Sequence, residues 1–128
     1  MKKFLALSIL LLLTVTGCST LDAIQAQNRR NLSRLSIGMS KEKVIKIMGD
    51  NIIYAKKGLV INNPYRSEIL EGKDKIFEVL YYYTEQKKAE GTVTNDELTP
   101  IVLEKDKLAG WGWNFLETNA KNYGITLK

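Results

Sequence analysis

Ile76-Phe77-Glu78-Val79-Leu80-Tyr81-Tyr82-Tyr83-Thr84 is the clearest structural signal in this chain of 128 residues. Its β-branched and aromatic residues favour a strand, in which successive side chains point to opposite faces of a sheet. One predicted face carries Phe77, Val79, Tyr81 and Tyr83, and the other carries Ile76, Glu78, Leu80 and Tyr82. Residues 76–84 are therefore predicted to form the main strand of a β-sheet.

Further strands are predicted on both sides of this one. Residues 101–104 and 108–113 are expected to form a hairpin that turns at residues 105–107, because two apolar runs flank the polar triplet Lys-Asp-Lys. Residues 52–54 and 59–61 predict one more strand, interrupted by turn-forming residues. The sheet is expected to be small and antiparallel.

Helices are predicted before and after the strands. Ser40 suits the N-cap of a short helix, and Gly49 is placed to end it. A C-terminal helix is predicted to begin at Asn114, with Glu117 three residues later as in a capping box, and to stop at Gly124. The chain is therefore expected to belong to the α+β class.

The N-terminus combines a basic start, an apolar run over residues 4–15 and the motif Val15-Thr16-Gly17-Cys18. A membrane-spanning helix needs about 20 apolar residues, so this shorter run is predicted to be a signal peptide. The motif resembles the lipobox of bacterial lipoproteins. That resemblance implies signal cleavage between Gly17 and Cys18 and acylation of Cys18. The alternative is an uncleaved anchor helix with an incidental cysteine.

This motif divides the chain into three predicted parts. Residues 1–17 are predicted to be the lipoprotein signal peptide, and residues 18–34 an acylated N-terminus and tether that becomes a loosely amphipathic helix. Residues 35–128 are predicted to form one α+β domain. Ser19 stands where aspartate is the familiar inner-membrane retention signal, which implies an outer-membrane protein that faces the periplasm. In a Gram-positive cell the same protein would lie on the outer face of the cell membrane.

The composition argues against an enzyme. The chain has no histidine, and its one cysteine is assigned to lipid, so Ser-His, Cys-His and histidine-metal sites are excluded. Four carboxylates lie close in sequence: Glu68, Glu71, Asp74 and Glu78. Exposed carboxylates need no catalytic explanation. Loss of Lys2 and Lys3 with the leader lowers the formal net charge from +5 to +3, and the remaining basic residues are scattered. We therefore expect no catalytic residue, no metal, no nucleic acid, no small-molecule substrate and no cofactor beyond the covalent lipid on Cys18.

Three aromatic residues are candidates for a partner-binding surface. Trp111 and Trp113 lie two apart on the predicted strand, so both would point to the same face. Tyr82 would point away from the face that carries Phe77, and exposed aromatic residues of this kind suit interface hot spots. The alternative is that both tryptophans pack in the core, because large aromatic residues dominate small cores. The polar residues 85–99 are either a functional or a disordered loop.

The motif Ile37-Gly38-Met39-Ser40-Lys41-Glu42-Lys43-Val44, followed by Ile47-Met48-Gly49, resembles the Gly-Met-Ser/Thr segment and helix of the SmpA/OmlA (BamE-type) outer-membrane lipoproteins. The resemblance implies a fold in which two N-terminal helices pack on a small antiparallel sheet, here with a short C-terminal helix added. It also implies an accessory role in the machinery that inserts β-barrels into the outer membrane. Helix-on-sheet domains of the β-lactamase-inhibitor type share the same opening.

The protein is therefore expected to act by noncovalent binding. The protein is predicted to act as an outer-membrane-anchored accessory or scaffold in envelope or β-barrel assembly, with an envelope protein such as the barrel-assembly machinery as its partner. The alternative is a lipid-anchored binding or inhibitor module that captures a soluble periplasmic protein or an envelope polymer.

Overall fold

The structure is a computed structural model that describes residues 21–54, 58–85 and 93–128. The signal peptide, the cleavage and acylation site at Gly17 and Cys18, and the middle of the predicted polar loop lie outside the described residues. The elements in chain order are α1 (Leu21–Leu32), α2 (Lys41–Met48), β1 (Asn51–Tyr54), β2 (Val60–Asn63), β3 (Arg66–Gly72), β4 (Lys75–Tyr83), a 3₁₀ turn (Asn95–Glu97), β5 (Leu98–Glu104), β6 (Lys107–Trp111) and α3 (Trp113–Asn122). The fold is α+β, with two N-terminal helices, antiparallel strands and a short C-terminal helix, as the sequence predicts.

Strands β3, β4, β5 and β6 form a four-stranded antiparallel sheet in chain order. Strand β4 is the predicted main strand, and it pairs with both β3 and β5. Strands β5 and β6 form the predicted hairpin, and Lys105 and Asp106 turn the chain with φ angles of 50° and 60°. Strands β1 and β2 form a second, two-stranded sheet.

Strand β4 has apolar neighbours on both of its faces. The odd-numbered side chains of one face form a buried cluster with Leu116 of α3. On the other face Leu80 and Tyr82 form a second cluster with Val44 and Met48 of α2. The predicted alternation of side chains is confirmed, and the sheet lies between α2 on one side and α3 on the other.

Helix α2 is held at both ends by the residues that the sequence indicates. The Ser40 hydroxyl accepts a hydrogen bond from the backbone N–H of residue 43 at 3.2 Å, and Gly49 ends the helix with a φ of 92°. The chain just before the helix pairs with the outer edge of β6. Gly38 N–H donates to the Leu108 carbonyl and Leu108 N–H donates to the Met39 carbonyl, both at 2.8 Å. The Gly-Met-Ser motif therefore closes one edge of the sheet.

Helix α1 is the loosely amphipathic helix expected within residues 18–34, and it is packed on the sheet as part of the folded domain. Ile24 is buried in the cluster below α3, and Leu32 packs against the cluster below α2. The amide of Asn28 donates to the Tyr83 carbonyl at 2.8 Å. The helix therefore crosses the C-terminal end of β4 and contacts both layers of the core.

The C-terminal helix begins earlier than predicted. Trp113 is its first residue rather than the end of a strand, and Gly112 is its N-cap with a φ of 93°. Asn114 and Glu117 therefore lie within the helix and do not form the expected capping box. The predicted stop is close, because α3 ends at Asn122, with Gly124 in a left-handed conformation two residues later.

Two features of the sheets differ from the prediction. Residues 52–54 and 59–61 supply two strands, β1 and β2, rather than one. Strand β3 was not predicted, because its sequence Arg-Ser-Glu-Ile-Leu-Glu-Gly is mostly polar. Its side chains are alternately exposed and half-buried, which is the burial of an edge strand over a core.

Candidate docking surface

The two edges of the four-stranded sheet differ. The outer edge of β6 is closed by residues 38–41, including a bridge between Ser40 and Lys107. Strand β3 pairs with β4 alone among the described residues, and its other side carries an unpaired row of backbone groups. Such an edge is a template for pairing with another chain.

An open groove of about 660 Å³ lies beside this free edge. Its apolar residues are Ile69 of β3, Ile76 of β4 and Leu103 of β5. Ile69 is 57% exposed and Ile76 is 61% exposed, because α2 covers only the C-terminal half of this face of β4. We call this surface the edge groove, defined by these three residues and the charged side chains around them.

The charged side chains of the edge groove are predominantly acidic. Five carboxylates and three lysines line it: Glu71, Asp74, Glu78, Glu104, Asp106, Lys41, Lys75 and Lys105. Lys41 lies 2.7 Å from Glu78, and Lys75 lies 2.7 Å from Glu104. In each pair the hydrogen bond to the carboxylate raises the pKa of the lysine. The carboxylates outnumber the lysines here, although the whole chain carries a net charge of +5.

The prediction that Tyr82 is an exposed binding residue is wrong. Its side chain is 0% exposed and lies between the sheet and α2. The hydroxyl donates to the Gly49 carbonyl at 2.6 Å, and burial raises the pKa of this tyrosine above its usual value. Tyr82 therefore joins the end of α2 to the sheet.

The two tryptophans do not share a face. Trp111 ends β6 and packs against the cluster below α2, whereas Trp113 begins α3 and packs against the opposite cluster. The indole N–H of Trp113 donates to the Leu98 carbonyl at 2.8 Å, and its ring centroid lies 5.7 Å from that of Tyr81. Both side chains are half-buried, as the core alternative expects, and the structure does not bring the three predicted binding residues together.

The close spacing of four carboxylates in sequence does not produce one acidic cluster. Glu68 lies on the α3 side of the sheet, where it accepts a hydrogen bond from the Tyr81 hydroxyl and pairs with Arg66. Glu71 and Glu78 lie on the other face and line the edge groove. No group of three or more potential metal ligands occurs among the residues that the structure describes.

A second apolar surface lies on the small sheet. Ile52, Tyr54, Leu59 and Val60 are between 49% and 76% exposed, with Tyr54 the most exposed. We call these four residues the hairpin face. Their aliphatic or aromatic character was visible in the sequence, but their exposure was not, because it depends on what the rest of the fold covers. No helix in residues 21–54, 58–85 or 93–128 has the length and apolar character to cross a bilayer.

A protein-family model matches most of the chain. The model of a family described as "Protein of unknown function (DUF3192)" matches residues 16–118. The matched range includes Cys18 and extends into α3, so it covers most of the chain. No curated protein and no solved structure matches it.

Proposed function

Because the chain belongs to the DUF3192 family of proteins of unknown function, we propose its function from the geometry: it is a lipid-anchored envelope protein that holds a partner protein noncovalently at the edge groove. The anchor is the acylated Cys18, placed at the outer membrane with the domain facing the periplasm. No catalytic residue, metal or cofactor is part of this proposal.

The lipobox supports the anchor. Cys18 follows a leader too short to span a bilayer comfortably, and the family match includes this cysteine. Stable attachment requires more than one acyl chain, since a single chain binds a bilayer only marginally. Lipoprotein processing would supply these chains on the one cysteine that the sequence contains.

The difference between the two sheet edges is the observation that carries the proposal. One edge is closed by the protein's own residues 38–41, whereas β3 has no neighbour beyond β4 in the described part of the chain. A free strand next to a groove with exposed isoleucines suits strand addition, in which backbone hydrogen bonds provide affinity and alternate side chains provide specificity.

The side chains of the edge groove indicate what kind of segment the partner would supply. The partner would supply an extended segment whose apolar side chains cover Ile69 and Ile76 and whose basic side chains face the excess of carboxylates. The resemblance to SmpA/OmlA lipoproteins suggests a component of the barrel-assembly machinery as the owner of this segment. Lipid attachment strengthens such a contact by raising the local concentration of two proteins in one membrane.

Photocrosslinking in living cells tests this proposal. A photoreactive amino acid is placed at residue 69 or 76 of the full-length, acylated protein, and at residue 37 as a matched control. Ile37 is 65% exposed but does not line the edge groove. We expect residues 69 and 76 to crosslink to the same envelope protein, residue 37 not to do so, and Ile76→Lys to abolish the crosslink from residue 69.

Each outcome of this experiment has a definite meaning. A barrel-assembly component in the adduct supports the accessory role. A soluble periplasmic protein that is also captured by the Cys18→Ala protein supports the inhibitor module instead. The same adducts from residue 37 as from residue 76, or no adduct from either groove position, would refute docking at this surface.

A further inference from the structure

The hairpin face is uncovered because its strands alternate. Ile53 pairs with Ile61, and both point inward to the cluster below α3. Tyr54 pairs with Val60, and both point outward, where no described residue covers them. The result is a compact apolar surface with a tyrosine that is 76% exposed.

The β1–β2 hairpin runs alongside the first half of α1. At the base of the hairpin the Asn28 amide donates to the Asn63 side-chain oxygen at 3.0 Å. One turn earlier in the helix, Ile24 lines the same cavity as Ile53. The last described pair of the hairpin, Tyr54 and Val60, therefore lies toward the N-terminal end of α1, at Leu21.

Only three peptide units separate Leu21 from Cys18. Since an extended chain spans at most about 3.6 Å per residue, the acylated cysteine lies within about 11 Å of the start of α1. The helix is docked on the sheet, with the Gln25 amide donating to the Glu85 carbonyl at 3.0 Å. A lipid at Cys18 would therefore hold the N-terminal end of α1, and with it Tyr54 and Val60, close to the bilayer.

We propose that the hairpin face lies against the lipid surface beside the acyl anchor. This inference rests on the lipid attachment in the proposed function. The four residues of the hairpin face suit that position. Aliphatic side chains enter the boundary between headgroups and acyl chains, and a tyrosine ring prefers the interface itself.

The position of the edge groove agrees with this orientation. Helix α1 crosses the C-terminal end of β4, whereas the groove lies at its N-terminal end, around Ile76. Ile76 and Tyr83 are seven positions apart along the strand, which corresponds to about 23 Å at 3.3 Å per residue. The proposed membrane contact and the proposed protein contact therefore lie at opposite ends of the sheet.

Site-directed fluorescence tests the orientation. Acylation occupies the only natural cysteine of the mature protein, so a new cysteine can be labelled selectively. The variants Tyr54→Cys and Leu59→Cys report on the hairpin face, and Ile76→Cys is the control at the opposite end of the sheet. Each full-length acylated protein is labelled with a polarity-sensitive dye and reconstituted in vesicles of phosphatidylethanolamine and phosphatidylglycerol, and its fold is checked by circular dichroism.

We expect a lipid-borne nitroxide to quench the dye at residues 54 and 59 several-fold more strongly than at residue 76, and aqueous iodide to show the opposite order. Flotation of the same samples reports on the anchor independently. Protein that floats but has equal quenching at residues 54 and 76 would overturn the hairpin contact alone. Protein that does not float would overturn the anchor and the hairpin contact together. Shielding of residue 54 from both quenchers would assign the face to a second copy of the protein and also overturn the proposal.

Discussion

Hydrogen bonds from polar residues of α1 hold this helix on the sheet. Gln25, Asn28 and Arg29 donate to the carbonyls of residues 85, 83 and 84, respectively. Gln25 and Asn28 are each 2% exposed. From the sequence alone, polar residues such as these predict a solvated helix. Neighbouring residues do not show that their hydrogen-bond acceptors lie far along the chain. The residues themselves therefore indicated a loosely amphipathic helix, but not its hydrogen-bond partners at the end of β4.

We predict that Asn28→Ala lowers the free energy of unfolding by about 1–3 kcal/mol, the cost of leaving a buried polar group without its partner. The Asn28 amide donates both to Tyr83 and to Asn63, so the substitution removes donors from two acceptors. Urea unfolding followed by circular dichroism measures the change. Arg30→Ala is the control, because Arg30 is exposed on the same helix and donates to the exposed Gln27 side chain, so it should change stability far less.

We predict that Gly72→Ala destabilises the C-terminal segment. A Cβ atom at residue 72 would lie 2.6 Å from the Tyr123 carbonyl oxygen, which is backbone and cannot rotate away. Overpacking of this kind costs about 1–3 kcal/mol. Ser67→Ala, on the same strand but exposed, serves as the control in the same urea titration. Equal unfolding midpoints for the two variants would contradict the predicted clash.

Elements defined by local signals were predicted best. Helix α2 was predicted from its caps, β4 from its alternation and the β5–β6 hairpin from its turn residues. Strand β3 was missed, because its position depends on pairing with β4 rather than on its own propensity. The exposure of Tyr82 was predicted wrongly for a related reason. Alternation shows that a side chain points away from one face, but not whether a helix covers the other.

The candidate docking surface could not be predicted from the sequence either, because it depends on how the elements pack. The edge groove combines side chains from three strands and from the first turn of α2. Its existence depends on how far α2 extends over the sheet. None of the three aromatic residues proposed from the sequence lines it.

We predict that Ser40→Ala destabilises α2 by about 1 kcal/mol, the usual cost of losing an N-cap side chain. The Ser40 hydroxyl is the acceptor for the N–H of Lys43. Ser36→Ala, at an exposed position outside the helix, should leave stability nearly unchanged. Thermal unfolding by circular dichroism compares the two variants, and similar losses in both would contradict the capping role.

The described part of the molecule is centred on a four-stranded sheet with a separate cluster on each face, and three adjacent tyrosines contribute to both clusters. The α+β class and the order of elements were predictable, because each follows from patterns along the chain. The placement of α3 and α2 on opposite faces of the sheet was not predictable, since it depends on which face is left uncovered for each helix. Similar folds carry different functions, so the fold alone assigns none.

We predict that stability falls as the pH rises above 10. Burial raises the pKa of Tyr83 from 10.0 to about 12, and burial also raises the pKa values of Tyr81 and Tyr82. Below pH 10 these tyrosines are protonated in both the folded and the unfolded protein, so their contribution to the free energy of unfolding is fully present. Above it the unfolded chain releases protons that the folded protein retains, which favours unfolding until the pH passes the folded pKa.

Urea midpoints measured from below pH 10 to about pH 12 test this dependence, with tyrosinate absorbance recorded in parallel. The decline should be shallower in Tyr83→Phe, because this variant lacks one of the raised pKa values. Lys41 acts in the same direction, since its hydrogen bond with Glu78 raises its pKa. An unfolding midpoint that stays constant across this range would contradict the prediction.

The docking of α1 also depends on residues that are synthesised much later than the helix itself. The carbonyls that receive its hydrogen bonds lie 55 to 60 residues later in the chain. During synthesis, which begins at the N-terminus, these acceptors are missing until at least that many further residues have been added. The first residues therefore stay undocked throughout this interval. Helix α1 can therefore dock in its final position only after the end of β4 has been synthesised.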